Sequence, residues 1–343
     1  MTKHKYSKAG LLLIIGALIL AVLLTVNAAS AQTKTAKDTT PAGQQNTVLQ
    51  QKNPPTAPAD ANNPLVVWDV APADRVGLPR NFRTTSDSIK SKNGKAINMT
   101  GLTELHASGS AVPTEANLSA MLKKVHGPVT IFDLRQEDHV FVNGEPISWY
   151  ATNNWANVGK TNKEIKASEA ARVAGISVGS TILLSDAKAK KGGDASAVEN
   201  VTVARVATEK DVVTAAGAAY KRITVSDHSR PLDVEVDRFI ADVRSLPADA
   251  WAHFHCRAGK GRTTTFLALY DMLRNATKVS LEDIVQRQSL LIGDYDLLAA
   301  ADDAGKSGVA EDRSAFVRVF FDYARANPNG KPQLWSEWLK GQH

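Results

Sequence analysis

The stretch that decides the reading is His255-Cys256-Arg257-Ala258-Gly259-Lys260-Gly261-Arg262-Thr263-Thr264. Before it lies a short β-like run, Trp251-Ala252-His253-Phe254. After it comes a helical run carrying Phe266, Leu267, Leu269, Tyr270, Met272 and Leu273, which stops near Asn275. The chain's one cysteine opens a turn that Arg262 closes, with two glycines inside. Glycines let successive backbone N–H groups point inward as an anion-binding nest, and a helix N-terminus adds its positive dipole end at the same point. Arg262 supplies a planar fork for two phosphate oxygens. The same field favours the thiolate of Cys256, the nucleophilic form, and Thr263 places a hydroxyl within reach of it. A phosphate cradle with a thiolate at its base, made by Arg257, Ala258, Gly259, Lys260, Gly261 and Arg262, is a device for phosphoryl transfer through a phosphocysteine.

Outward from this turn the chain alternates strand-like and helix-like stretches. Gly127-Pro128 precedes a buried strand, Val129-Thr130-Ile131-Phe132, ending at Asp133-Leu134-Arg135. After Pro231, the residues Val234, Val236, Phe239, Ile240, Val243 and Leu246 recur at near-helical spacing. Ser280 with Asp283 three residues later predicts the start of a further helix through Gln288. Between 172 and 225 the texture changes to short β-branched runs, which predicts a small β-rich insertion. Lys188 to Gly193 within it reads as an exposed loop.

Charge and composition narrow the classes. The 343 residues are 43% hydrophobic and 22% charged, too apolar for a disordered protein. One cysteine excludes a disulfide framework or a thiolate zinc cluster. Residues 1–31 read as a secretory signal: Lys3, Lys5 and Lys8, then a run from Leu11 to Val26, then Ala29-Ser30-Ala31. An uncleaved membrane anchor is the alternative for the same run. Residues 32–64, rich in Gln, Thr, Asn and Pro, read as a disordered spacer, and the folded domain is expected over 65–343. The net charge is +6, but +3 lies in residues 1–31 and +1 in residues 32–64, leaving +2 on 65–343. That small excess gives no support for the broad basic face of a nucleic-acid binder; the basic character that matters is local, at Arg257, Lys260 and Arg262.

The segment His255 to Thr264 resembles the active-site loop of cysteine-dependent protein tyrosine phosphatases. The wider chain resembles their bacterial branch, the protein tyrosine phosphatase-like phytases. That likeness rests on Leu78-Pro-Arg-Asn-Phe-Arg83, Ser108-Gly-Ser110, Asp133-Leu-Arg-Gln-Glu137 with Asn143-Gly144, Ser226-Asp-His228 and Trp335-Ser-Glu-Trp-Leu339. The resemblance implies an α/β fold with a central mixed sheet flanked by helices and a small β-rich subdomain. It also implies stepwise hydrolysis of phosphomonoesters from myo-inositol hexakisphosphate and lower inositol phosphates. By the same resemblance Asp227 is the general acid, proton donor to the leaving alkoxide and then base toward water. His255 orients the loop and tunes the thiolate, and the Asp133–Arg135 segment supports the loop from a neighbouring strand end.

Substrate contacts are expected from Arg80, Arg83, His228 and Arg230, with Lys306 adding to an electropositive bowl and Gln288 near the attacking water or substrate. No cofactor is expected. His253 and His255 share one strand face, but no third ligand lies nearby in sequence, so no metal site is predicted. The partner is a polyanionic small molecule, with no nucleic acid and no stable membrane association after signal cleavage. The protein is expected to be exported, periplasmic or secreted. A secreted protein tyrosine or dual-specificity phosphatase and a phosphoinositide phosphatase share every catalytic residue above and stay open as alternatives.

Overall fold

The computed structural model describes residues 51–89, 94, 96–185, 198–299 and 306–342, and divides their strands between two sheets. The central sheet contains β2 (Arg83–Thr84), β3 (Ala107–Ala111), β4 (Val129–Arg135), β10 (Ala219–Val225) and β11 (Trp251–Cys256). Their order is β10-β4-β11-β3-β2. The first four run parallel and β2 pairs antiparallel with β3, so the sheet is mixed. The second sheet contains β1 (Leu65–Trp68), β5 (His139–Val142), β6 (Glu145–Tyr150), β7 (Thr181–Ser185), β8 (Val198–Thr202) and β9 (Val206–Ala207), in the order β8-β7-β1-β6-β5-β9. The helices are α1 (Glu115–Leu122), α2 (Asn162–Ala174), α3 (Glu209–Ala215), α4 (Asp233–Arg244), α5 (Gly261–Asn275), α6 (Leu281–Leu291), α7 (Ser307–Ala326) and α8 (Trp335–Lys340).

Strand alternation decides what each face of the central sheet carries. On β11, Ala252, Phe254 and Cys256 join the main core with Phe132 and Leu134 of β4. Helices α4 to α8 close that face, with Phe239, Phe266, Phe316, Phe320, Tyr323 and Trp335 packed in edge and tilted contacts. Each fully buried aromatic of this kind contributes about 1.5–3 kcal/mol, so the strand that ends at Cys256 stands on a rigid base. The opposite face carries Trp251, His253, His255, Ile131, Asp133 and Arg135. Ile131 meets α1, α3 and β5 through Leu118, Met121, Phe141 and Val213, and Trp251 stacks on His106. Its polar members form the buried network described below.

Two boundaries differ from the sequence reading. The β-rich unit is not an insertion over 172–225. Its sheet draws β1, β5 and β6 from earlier in the chain, residue 172 lies in α2, and Arg222–Val225 belongs to β10 of the central sheet. Local β-branched runs report strand content, whereas sheet membership is set by pairings remote in sequence. The spacer also ends earlier than expected. Residues 51–64 are described and bonded to the body: Lys52 and Asn53 donate their N–H groups to Asp312, and Asp60 accepts from Thr152. The signal-like residues 1–31, the rest of the spacer up to residue 50, and the loop Lys188 to Gly193 lie outside the described residues.

Candidate active site

The loop after β11 is held by its carbonyls. Asn81 donates from Nδ2 to the carbonyl of Ala258 at 2.8 Å, and Arg83 Nη1 donates to the carbonyl of Gly259 at 2.9 Å. Arg83 Nη2 reaches Thr264 Oγ1 at 2.9 Å. Gly259 has φ +70°, and a Cβ there would lie 2.3 Å from the Ala111 nitrogen at the end of β3, so only glycine fits. With its carbonyls tied back to the body, the turn is free to present N–H groups on its other side. Thr263, in the first turn of α5, donates its hydroxyl to Cys256 Sγ at 3.2 Å. Gly109 makes this approach possible, since a Cβ there would come within 2.7 Å of Thr263 Cγ2.

Arg262 lies buried between two carboxylates. Glu137, just after β4, takes Nη1 and Nη2 in a bidentate pair at 2.7 and 2.8 Å. Nη1 also donates to the carbonyl of Val225 at 3.0 Å. On the other edge, Arg262 Nε stands 3.3 Å from Asp227 Oδ1. Asp227 is fixed in turn by a loop of the β-rich unit. Asn154 donates from Nδ2 to Asp227 Oδ2 at 2.7 Å, and the Trp155 indole donates to the Asp227 carbonyl at 2.9 Å. Burial by itself would raise the Asp227 carboxyl, but Arg262, with smaller help from His228 and Asn154, draws it well below the usual carboxylate range. Burial also opposes the charge of Arg262, and the carboxylates of Asp227 and Glu137 outweigh it.

Beneath the loop, on the far face of the sheet, runs a chain of buried ion pairs. His255 Nε2 lies 2.9 Å from Glu209 Oε1, at the start of α3. The other oxygen of Glu209 meets Arg135 and, at 3.1 Å, His139. Arg135 also pairs with Asp133 and Asp69, and Asp69 receives Arg257 Nε at 2.7 Å. Asp133, Glu209 and His255 offer ligand atoms within 4.8 Å of one another, the geometry of a metal cluster. Arg135 and His139 already supply the positive charge at these carboxylates, so the donor set does not fit a further cation. Asp133 also accepts from the Tyr220 hydroxyl at 3.0 Å, so it is engaged within this network.

Several residues expected from sequence to touch substrate are engaged elsewhere. Arg83, 2% exposed, clamps the loop from behind, and burial pushes its guanidinium down to about 10 against the opposing pull of Cys256. Arg230, 5% exposed, pairs with Asp233 at 2.9 Å and lies over the Phe316 ring. Gln288 is buried and donates to Asp271 at 3.0 Å, between α5 and α6. Arg257 contributes backbone to the loop, but its side chain ties the loop to the second sheet through Asp69. The side chain of His255 turns to Glu209 rather than to the loop. Arg80 and Lys260 are exposed, His228 is half-buried beside Asp227, and Lys306 immediately precedes α7 with its charge felt at His228. Glu137, Asn81, Asn154, Trp155 and Glu209 were not singled out as site residues. For Glu137 a signal existed, because a residue just past the carboxyl end of a parallel strand stands where open α/β sheets place their ligands.

A thiol at the foot of an anion-shaped turn, an arginine closing it and a carboxylate across the opening define a cysteine-dependent phosphatase. Residues 132–274 match the family model described as PTP-like phytase, inositol hexakisphosphate. The solved structure of a PTP-like phytase from Bdellovibrio bacteriovorus is 38% identical, covers 83% of this chain and 98% of its own, and superposes with a TM-score of 0.69. The tandemly repeated protein tyrosine phosphatase-like phytase from Mitsuokella multacida is 34% identical, with coverage of 83% and 50% and a TM-score of 0.74. Among curated proteins, the effector protein hopD2 of Pseudomonas syringae pv. tomato is 34% identical over 281 residues, 80% of this chain and 59% of that protein. The chain therefore spans less than two thirds of that relative's length. It belongs to the PTP-like phytase family, a family of phosphomonoester hydrolases.

The buried network makes stability depend on pH in a stated direction. Burial and Arg135 oppose a proton on His139, but Glu169 and Asp133 outweigh them and push it up to about 10. A histidine raised from its ordinary value near 6.5 stabilises fully below about pH 6.5, and that contribution is lost as pH rises through about 10. Thermal unfolding midpoints measured from pH 6 to pH 10 are expected to fall more steeply in the wild-type protein than in His139→Gln. Parallel slopes would place the pH dependence elsewhere.

Proposed function

We propose that this protein hydrolyses phosphomonoesters of inositol polyphosphates through a phosphocysteine. The observation that carries the reading is the arrangement of Arg262, with one edge of its guanidinium bound by Glu137 and the other facing Asp227 beside the Cys256 loop. The phosphate dianion enters the turn and competes with Asp227 for the Nε edge. Its negative charge raises the carboxyl of Asp227, which takes up a proton and becomes an acid. Sγ of Cys256 then forms a bond to phosphorus while the bond to the alkoxide oxygen breaks, and Asp227 delivers its proton to that oxygen. Water attacks the phosphocysteine with Asp227 as base. The Thr263 hydroxyl donates to the departing sulfur, stabilising the thiolate that is regenerated.

The inositol phosphate assignment draws on the family match and on a solved relative, the PTP-like myo-inositol phosphatase from Mitsuokella multacida in complex with myo-inositol-(1,3,4,5)-tetrakisphosphate. That protein is 34% identical, covers 80% of this chain and 49% of its own, and has a TM-score of 0.73. The likeness to an effector protein favours a second reading, a phosphatase acting on a partner protein. Export is proposed on the signal-like pattern of residues 1–31; among the described residues no helix is long and apolar enough to cross a membrane.

Turnover measured side by side on inositol hexakisphosphate, lower inositol phosphates, phosphoinositides and a phosphotyrosine peptide tests the assignment. Faster turnover of the soluble inositol phosphates is expected, and preference for the peptide would overturn it. Asp227→Asn is expected to slow an alkyl phosphate about 100-fold or more. An aryl phosphate, whose leaving group needs less protonation, should lose far less. Equal losses would remove Asp227 as the acid.

A further inference from the structure

The segment read from sequence as a spacer reaches the catalytic apparatus. At one end Lys52 and Asn53 donate backbone N–H groups to Asp312 of α7, at 3.2 and 2.7 Å, and Asn53 Nδ2 donates to the carbonyl of Gly308 at 3.3 Å. Pro54, Pro55 and Pro58 follow, each with φ fixed by its ring. At the other end a short 3-10 turn, Ala59–Asn62, presents Asp60. A single carboxylate oxygen of Asp60, Oδ2, accepts both the N–H of Thr152, at 2.9 Å, and its hydroxyl, at 3.0 Å.

Thr152 begins the turn that carries Asn154 and Trp155, the two residues bonded to Asp227. That turn has an uncommon backbone. Asn153 and Asn154 have φ of 60° and 61°, left-handed values that side-chain-bearing residues adopt at a cost, asparagine least of all. A conformation of this kind persists when its surroundings fix it. Thr152–Asn154 has no side-chain cap of its own, and its leading N–H is one of the groups a short helix leaves without an internal partner. Asp60 supplies the missing acceptor from 92 residues away.

We propose that Asp60 is a positioning residue for proton transfer: residues 51–63 form a strap whose carboxylate fixes the Thr152–Trp155 turn, which in turn aims Asp227. The inference rests on the reading of Asp227 as the general acid. Its effect falls on the steps in which Asp227 moves a proton, most of all on protonation of an alkoxide leaving oxygen, so it is separable from binding. It is also separable from charge, because an amide oxygen at position 60 can accept the same two hydrogen bonds.

The test compares kcat and KM for inositol hexakisphosphate and for p-nitrophenyl phosphate in the full chain carrying Asp60→Ala, Asp60→Asn, Thr152→Val or Asp227→Asn. Asp60→Ala is expected to lower kcat roughly tenfold on the alkyl phosphate, as a displaced catalytic group does. Its kcat on the aryl phosphate should fall far less, and both KM values should stay near wild type. Asp60→Asn should restore most of the loss. Thr152→Val, which keeps the N–H and removes the hydroxyl, should show a smaller loss of the same pattern. Equal losses on both substrates, a change in KM alone, no loss, or no rescue by Asp60→Asn would overturn the proposal. If Asp227→Asn itself fails to discriminate the two leaving groups, the acid assignment falls and the strap proposal with it. If Asp227→Asn discriminates and Asp60→Ala does not, the strap proposal alone falls.

Discussion

The site depends on the two edges of one guanidinium. Arg262 is planar and buried, and Glu137 holds its end-on edge in a bidentate pair while Val225 takes a further N–H. These bonds fix the plane, so the remaining edge faces one direction, toward Asp227 and the Cys256 turn. A lysine would supply the charge but no second edge, and Glu137 would then compete with substrate instead of aiming the binding group. The same fixed edge links binding to acidity. While that free edge meets Asp227, it holds the carboxylate in its ionised form. In the proposed mechanism a phosphate dianion takes that edge, so that Asp227 loses its stabilising partner and gains a negative neighbour, and both changes favour the protonated form that the proposed acid role requires.

The two sheets divide the work of supporting this arrangement. The central sheet sets position: β11 delivers Cys256, β4 delivers Glu137 just past its end, and β10 leads into Asp227. All three run parallel and end on the same side. The second sheet and its loops supply what fixes these groups in place. Asp69, just after β1, holds Arg257; Glu209, just after β9, meets His255; and the loop after β6 holds Asp227 through Asn154 and Trp155. Packing against the aromatic core on one face and ion pairs on the other leave β11 little freedom, in keeping with a turn that must offer its N–H groups without rearrangement.

Sequence and structure part company in an instructive way. The strand, turn and helix that carry Cys256, Arg262 and the intervening glycines are legible because the pattern is local: residue type, spacing and strand-to-helix context act within one turn. Arg83, Arg230 and Gln288 were misjudged because an arginine or glutamine looks the same in sequence whether it faces a phosphate or clamps a carbonyl. Only tertiary packing showed that Arg83 grips the loop from behind, Arg230 lies on Phe316 and Gln288 is buried against Asp271. The β-rich unit was noticed by texture but wrongly bounded, since β1 and β6 pair across some eighty residues. The proline-rich approach to the domain carries few large apolar side chains, which argues for disorder. Its order comes from backbone hydrogen bonds to Asp312 and from the carboxylate of Asp60, neither of which leaves a hydrophobic signature.

In the proposed mechanism, anion binding at Arg262 converts Asp227 from an ion-paired carboxylate into an acid. Proton uptake on binding measures it directly. In the Cys256→Ser protein, which leaves no cysteine side chain in the site to exchange a proton, sulfate serves as a dianion that does not itself titrate near neutral pH. Calorimetry of sulfate binding near pH 6 in buffers of different ionisation enthalpy then reports the protons taken up. Net uptake is expected, and it should disappear when Asp227→Asn is added to the same background. No uptake, or uptake that persists without Asp227, would contradict it.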